Sequence, residues 1–318
     1  MEIFPIYFSR FLINIYVLFD CSEDMEEGNY IVSIDFHIVS EDAEKKPIAR
    51  YSGFMVRTFL YKFLQRTLGF RDMHSEKGLR MYSVTPLYDK DSDGRLHIYR
   101  RGEVIERAHF RVNLLSIGDP HIILGKLGLL DRIEVDTHRF RVMGLNLTIN
   151  SYKSLVENAS PIEKFRMSFL TPTSLRSPSQ YIAVKYDGEQ YVPTIRSKSK
   201  SKAIYIPLPY PELIFKNLLR MFRSFSGISD LPYEKIRNFI ADDGVTLSGF
   251  PRGIRTVSLR PAPGETYIGF IGTVYMTCRD SRGEMSRYID ALLRFSEYSN
   301  VGVARTAGLG WVEAKESK

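Results

Sequence analysis

The stretch Asn300-Val301-Gly302-Val303-Ala304-Arg305-Thr306-Ala307-Gly308-Leu309-Gly310 follows a helical run from Met285 to Ser299 and leads into the strand-like Trp311-Val312-Glu313-Ala314. Glycines at 302, 308 and 310 permit φ > 0 and leave backbone amides uncovered by side chains, so this loop can lie against a phosphate chain. A mononucleotide or dinucleotide loop fails on two details. No Gly-Lys-Ser/Thr ending is present, and those motifs run strand, loop, helix, whereas this one runs helix, loop, strand. A tight turn that closes a sheet has the same composition and remains the alternative.

Outward from this loop, the charge is uneven. The 318-residue chain carries a formal +7; residues 1–150 hold 20 Lys+Arg against 21 Asp+Glu, and residues 151–318 hold 24 against 16. The basic excess therefore lies in the same half as the glycine loop, where a polyanion would be held. Only Cys21 and Cys278 occur, which indicates neither a disulfide framework nor a zinc site and suits a reducing, cytoplasmic compartment. His37, His74, His97, His109, His121 and His138 show no metal-ligand spacing, and no acidic cluster suggests a divalent ion. Any enzymatic activity is expected to need no metal or cofactor.

Ile3 to Phe19 is largely apolar, but Pro5, Arg10 and Asn14 interrupt it, and neither a basic flank nor a small-residue cleavage site accompanies it. Residues 1–28 are expected to be an N-terminal extension outside the core, and no membrane partner is expected.

Further along, Tyr30 to Val39 alternates as a strand and Gly53 to Leu68 has helical apolar spacing. Arg80 to Leu87 and Arg95 to Arg101 resemble a strand pair joined through Asp91-Ser92-Asp93-Gly94. Phe110 to Ser116 is a strand, His121 to Leu130 a short helix, and Arg132 to Asn150 two more strands. The order is β-α-β-β-α-β, the ferredoxin-like arrangement. Strands at 165–170, 181–185, 203–206, 245–248, 256–259 and 267–277, with helices at 211–225 and 233–241, repeat the theme before the final helix and loop. The expected fold class is α+β: two tandem ferredoxin-like (RRM-like) domains, at 29–155 and 156–318, with the glycine-rich loop near the C-terminus.

Four basic features stand apart. In Arg196-Ser197-Lys198-Ser199-Lys200-Ser201-Lys202, an extended backbone puts Arg196, Lys198, Lys200 and Lys202 on one side, four cations along roughly 20 Å that match a run of backbone phosphates. A disordered basic linker has the same pattern. Arg252 and Arg255 belong to a hairpin-like turn, Gly249 to Arg255, and Arg305 is placed by sequence to touch phosphate from within the glycine loop. The helix 213–225 carries Lys216, Arg220 and Arg223 beside an apolar stripe, a core-packed helix with a solvated cationic face.

Three segments together resemble one family. Met167-Ser168-Phe169-Leu170-Thr171-Pro172-Thr173, Met81-Tyr82-Ser83-Val84-Thr85-Pro86-Leu87, and Gly269 to Tyr275 leading through the last helix into the glycine loop are similar to the CRISPR repeat-processing endoribonucleases, the sixth Cas protein family of the RAMP superfamily. The family's glycine motif has two Gly-x-Gly pairs separated by five residues; here Asn300 stands at the first glycine, and Asn is the side chain that best tolerates left-handed geometry. The resemblance implies two ferredoxin-like domains and an endoribonuclease that cuts precursor CRISPR RNA (pre-crRNA) within each repeat, in antiviral defence.

The chemistry implied is metal-independent. A ribose 2′-hydroxyl attacks its own phosphate, which requires a base, an acid for the departing 5′-oxygen and positive charge on the phosphorane, and leaves 2′,3′-cyclic phosphate and 5′-hydroxyl ends. His74-Ser75-Glu76-Lys77-Gly78-Leu79-Arg80 resembles a family segment with a histidine, a glycine four residues on and a lysine six on. The resemblance implies His74 as general acid/base, Arg80 and Lys77 as phosphate-stabilising cations, and Tyr61 as a residue that positions the hydroxyl or donates to the phosphate. Imidazole titrates near neutrality without tuning, whereas a phenol with a pKa near ~10 is a poor base. Arg252 and Arg255 would enter a groove of the repeat RNA. The rival reading is a catalytically inactive repeat-RNA-binding subunit of a CRISPR effector complex; effector subunits and a homodimer are the remaining candidate partners.

Overall fold

Alternation of apolar residues decides which way each sheet faces. The computed structural model describes residues 2–6, 14–19, 29–42, 46–68, 79–127, 130–177, 182–187, 190–195, 204–260 and 265–317. After an antiparallel hairpin of β1 (Glu2–Ile6) and β2 (Asn14–Phe19), β3 (Tyr30–Ser40) turns Val32, Ile34, Phe36 and Ile38 into one core, with Ser33, Asp35 and His37 at the alternate positions. Helix α1 (Ser52–Leu68) covers that apolar side with Met55, Val56, Phe59, Leu60, Phe63 and Leu64, one stripe at helical spacing. Phe36 stacks on Phe110 at 4.5 Å and meets Phe59 edge-on at 5.6 Å. A ring buried in this way contributes about 3–5 kcal/mol relative to alanine.

The chain continues through β4 (Tyr82–Val84), β5 (Tyr88–Lys90), β6 (Leu96–Ile98), β7 (Arg107–Ile117), α2 (His121–Leu127), β8 (Arg132–Val135) and β9 (His138–Ser151). The central order β9-β3-β7-β4 is that of a ferredoxin-like sheet, and β2 extends it by running parallel to β9. Residues 1–28, expected as an extension, thus supply two strands at the sheet's edge. The expected pairing of 80–87 with 95–101 is corrected: Pro86, which has no N–H for a ladder, splits that segment. β4 and β5 follow one another along the same edge of β7, and the hairpin is β5 with β6.

Helix α3 (Tyr152–Glu157), capped by Ser151 Oγ accepting the Ser154 N–H at 2.9 Å, leads to the second unit. Its elements are β10 (Lys164–Thr173), a ribbon of β11 (Leu175–Ser177), β12 (Ile182–Asp187), β13 (Gln190–Ile195) and β14 (Ile204–Ile206), then α4 (Pro211–Phe225), α5 (Tyr233–Ala241), β15 (Val245–Gly249), β16 (Ile254–Leu259), β17 (Tyr267–Cys278), α6 (Glu284–Ser299), a 3-10 turn at Arg305–Ala307 and β18 (Val312–Glu316). The order β15/β16-β17-β10-β18 repeats the first sheet's topology. Pro211 opens α4, where its missing N–H costs nothing, and Ile214, Phe215, Leu218, Phe222 and Phe225 form its buried stripe. Lys216, Arg220 and Arg223 stay on its outer side.

The two units share a core. Ile31 and Leu115, from the first sheet's far face, pack with Tyr152, Phe222 and Phe295 of the second cluster. Asn113 donates to the Tyr298 carbonyl at 2.7 Å, and Tyr152 donates its phenol to the Leu115 carbonyl at 2.6 Å. Among the described residues no helix is long and apolar enough to cross a membrane.

Candidate nucleic-acid interface

The glycine loop lies in the seam between the units, and its three glycines are needed there because backbone meets backbone. A Cβ on Gly310 would stand 1.8 Å from the Val301 carbonyl oxygen, one on Gly302 would stand 2.4 Å from that of Ser174, and one on Gly308 would stand 2.8 Å from the Pro86 nitrogen. Their φ values of +70°, +84° and +76° add a second reason. Their amides are engaged inside the protein: Gly302 donates to Asn217 Oδ1, Gly308 to the Arg305 carbonyl and Gly310 to the Pro172 carbonyl. The amides expected to face a phosphate chain are therefore occupied, and the alternative reading, a turn closing a sheet, describes the loop.

Arg305 is corrected likewise. Its side chain points inward, is 6% exposed, and donates to the carbonyls of Tyr82, at 2.7 Å, and of Arg80, two residues before β4. Burial pushes its pKa down to about 10, so it is still a cation at neutral pH. In this position it clamps the first unit to the loop and does not reach a phosphate. Asn300, at φ 54° and fully buried, adds a second tie: its Nδ2 donates to the Val84 carbonyl at 2.8 Å and to that of Arg305 at 3.2 Å.

Beside the seam a groove of about 700 Å³ opens between the β5–β6 hairpin and the second sheet; His97, Arg100, Phe169, Arg252, Arg255 and Thr273 are among its lining residues. Arg252 and Arg255 are exposed and face this groove. The turn that carries them is not a hairpin. β15 and β16 both pair with β17 on the same side, so residues 250–253 are an outward loop in one interrupted edge strand, turned by Gly253 at φ +71°. His97 Nε2 lies 3.3 Å from Glu103 Oε2 at the rim. Arg100 and His97 escaped the sequence reading because they enter the groove only through packing of a hairpin against residues 70 or more positions away.

Tyr61 is half-buried on α1, its ring edge-on to Tyr82 at 5.8 Å. Burial, with Tyr61 beside it, pushes the Tyr82 phenol well above its ordinary value. Tyr82 is the residue whose carbonyl Arg305 holds, and Arg80 is two positions before it, so Tyr61, Arg80 and the loop meet at one place. His74 and Lys77 lie outside the described residues, as do Arg196, Lys198, Lys200 and Lys202. Among the described residues no three His, Cys, Asp or Glu side chains converge as a metal site.

Residues 167–312 match a family model described as CRISPR-associated endoribonuclease Cas6. No curated protein matches the chain. Among solved structures, a Cas6 product complex is similar with a TM-score of 0.66 at 19% identity, covering 90% of this chain and 100% of the other. A second Cas6 product complex has a TM-score of 0.62 at 18% identity over 90% and 100%. Thermus thermophilus Cas6 has 0.60 at 19% identity over 90% and 99%. These likenesses establish the shared tandem ferredoxin-like fold. The sequence match covers the second sheet, the last helix and the glycine loop, and this part of the chain is similar to the family of the CRISPR-associated endoribonuclease Cas6.

Proposed function

We propose that this chain cuts precursor CRISPR RNA within each repeat, without metal, by attack of a ribose 2′-oxygen on the adjacent phosphorus. The P–O2′ bond forms as the P–O5′ bond breaks; a base takes the 2′-hydroxyl proton and an acid supplies one to O5′. The observation that carries this reading is the family match across residues 167–312. The groove lined by Arg100, Arg252 and Arg255 supports it, since these guanidiniums are spaced along one trough and suit a phosphate backbone. In this reading His74 is the general acid/base, Arg80 and Lys77 stabilise the phosphorane, and Tyr61 orients the reacting hydroxyl. Arg196, Lys198, Lys200 and Lys202 bind flanking phosphates.

The test is incubation of the purified chain with repeat RNA in EDTA, followed by mass spectrometry of the ends. Cleavage to 2′,3′-cyclic phosphate and 5′-hydroxyl ends is expected, and His74→Ala should greatly slow it while leaving binding nearly intact. A 2′-deoxy substitution at the scissile nucleotide should block it. Cleavage of that deoxy substrate would exclude the proposed nucleophile.

A further inference from the structure

We propose that an aromatic strip centred on Arg57 and Tyr267 binds unpaired nucleotides of the RNA strand next to the cleavage site, its rings stacking on bases and the guanidinium meeting a phosphate. The proposal rests on the endoribonuclease reading above. Arg57 lies one helical turn before Tyr61 on α1, so the two share a face. Its guanidinium carbon sits 4.5 Å from the centroid of the Phe54 ring, and among the described residues no carboxylate is paired with it. Phe54 in turn meets Tyr267 of β17 at 6.2 Å, across the seam between the units. Glu265, Arg57 and Tyr205 all lie close enough to Tyr267 to act on its phenol, which burial pushes upward first and Glu265 second.

Beyond Tyr267 the strip becomes open. Tyr205, on β14, is 59% exposed. An exposed ring next to a partly covered one offers a face on which a base can stack. Arg57, which pairs with no carboxylate among the described residues, supplies a cation for a phosphate, and the chain's basic excess lies in the half that carries Tyr205 and Tyr267. Stacking on rings requires free base faces, which a paired A-form helix hides, so the ligand is single-stranded RNA. The position of Tyr61 places the bound nucleotides beside the scissile phosphate.

The experiment uses the full chain, repeat RNA from the CRISPR array of the same genome, and an octaadenylate with a central 2-aminopurine, alone or paired with octauridylate. Tyr205 is exposed, so Tyr205→Ala should keep the wild-type melting temperature while weakening octaadenylate binding about fivefold or more, since one stacked base contributes about 1–3 kcal/mol. Fluorescence quenching of the 2-aminopurine should fall with it, and Tyr205→Phe should bind within about twofold of wild type. Arg57→Ala should lower the slope of log K against log salt by about 0.7, one phosphate contact. Binding of the duplex should be unaffected.

Wild-type affinity for octaadenylate in both Tyr205→Ala and Arg57→Ala overturns the proposal. Unchanged RNA affinity in Tyr205→Ala with an altered mass by light scattering assigns the patch to a protein contact and also overturns it. If the wild-type chain cuts repeat RNA while the variants bind and cut like it, only the strip is wrong. If the wild-type chain neither binds nor cuts repeat RNA, the endoribonuclease reading fails first.

Discussion

Replacing Arg305 by methionine removes two charge-assisted hydrogen bonds, to the carbonyls of Tyr82 and Arg80, and leaves both oxygens in the seam. Each such bond contributes about 1.5–3 kcal/mol, so the lower end gives a loss of about 3 kcal/mol for the pair. The methionine stem fills most of the vacated volume, which keeps a cavity penalty small. Arg305→Lys retains a charge, but one ammonium cannot present the planar fork that spans two carbonyls, and about half the loss is expected. Urea unfolding followed by Trp311 fluorescence at pH 7 measures this, with the exposed Arg255→Met as a control expected to change stability by no more than about 0.5 kcal/mol. The same preparations, bound to repeat RNA over a salt series, separate the clamp from a phosphate contact. A guanidinium on a phosphate would take about 0.7–0.9 from the salt slope when removed; a buried clamp leaves the slope of the folded protein unchanged. A stability loss below about 1 kcal/mol, or a reduced slope with stability intact, refutes the clamp.

Gly310→Ala meets both a left-handed φ of +70° and a carbonyl oxygen 1.8 Å from the new carbon, so a loss above about 3 kcal/mol is expected. Gly102→Ala, at φ +91° with open space around it, should lose only about 1 kcal/mol; equal losses in thermal melts would show that crowding is not the cause. His109, packed 4.4 Å from His37 between ring centroids, is held below 6.5 by burial first and by His37 second, against the opposing pull of Asp89. The unfolded chain therefore binds this proton before the folded one does, and stability falls as pH drops through 6.5. His109→Gln should flatten that decline in urea midpoints at pH 7.5, 6.5 and 5.5, and parallel curves for the two proteins would contradict the linkage.

Much of the scaffold was legible because local signals agreed with tertiary demand. Helix α4 begins at Pro211 and ends at Phe225 as its proline and apolar stripe indicate, and β3, β7, β10 and β17 alternate as strands that bury one face. The break at Pro86 was legible in principle, since a residue without an N–H interrupts a ladder. The glycine loop was legible in composition and not in purpose. Glycine permits close approach, but only the fold reveals whether the approaching group is a ligand or, as at Gly308, the chain's own Pro86. Arg305 was misread for the same reason: a cation in a glycine loop faces outward unless buried carbonyls await it, and those belong to a strand some 220 positions earlier. Arg57 gave no sign in the sequence, because its neighbours Phe54 and Tyr267 lie on separate units.

The ties from residues 300–310 to Tyr82 and Val84 close a chain circuit of more than two hundred residues. Such long-range contacts form late, after each sheet has gained its nearer pairings. Once made, they couple the melting of one sheet to that of the other, because neither can open without stranding carbonyls and side chains held by its neighbour. Two lobes of this size joined by a loose tether would absorb heat in two steps; these should absorb it in one, and scanning calorimetry that resolved two peaks would show the tie to be weaker than its geometry implies.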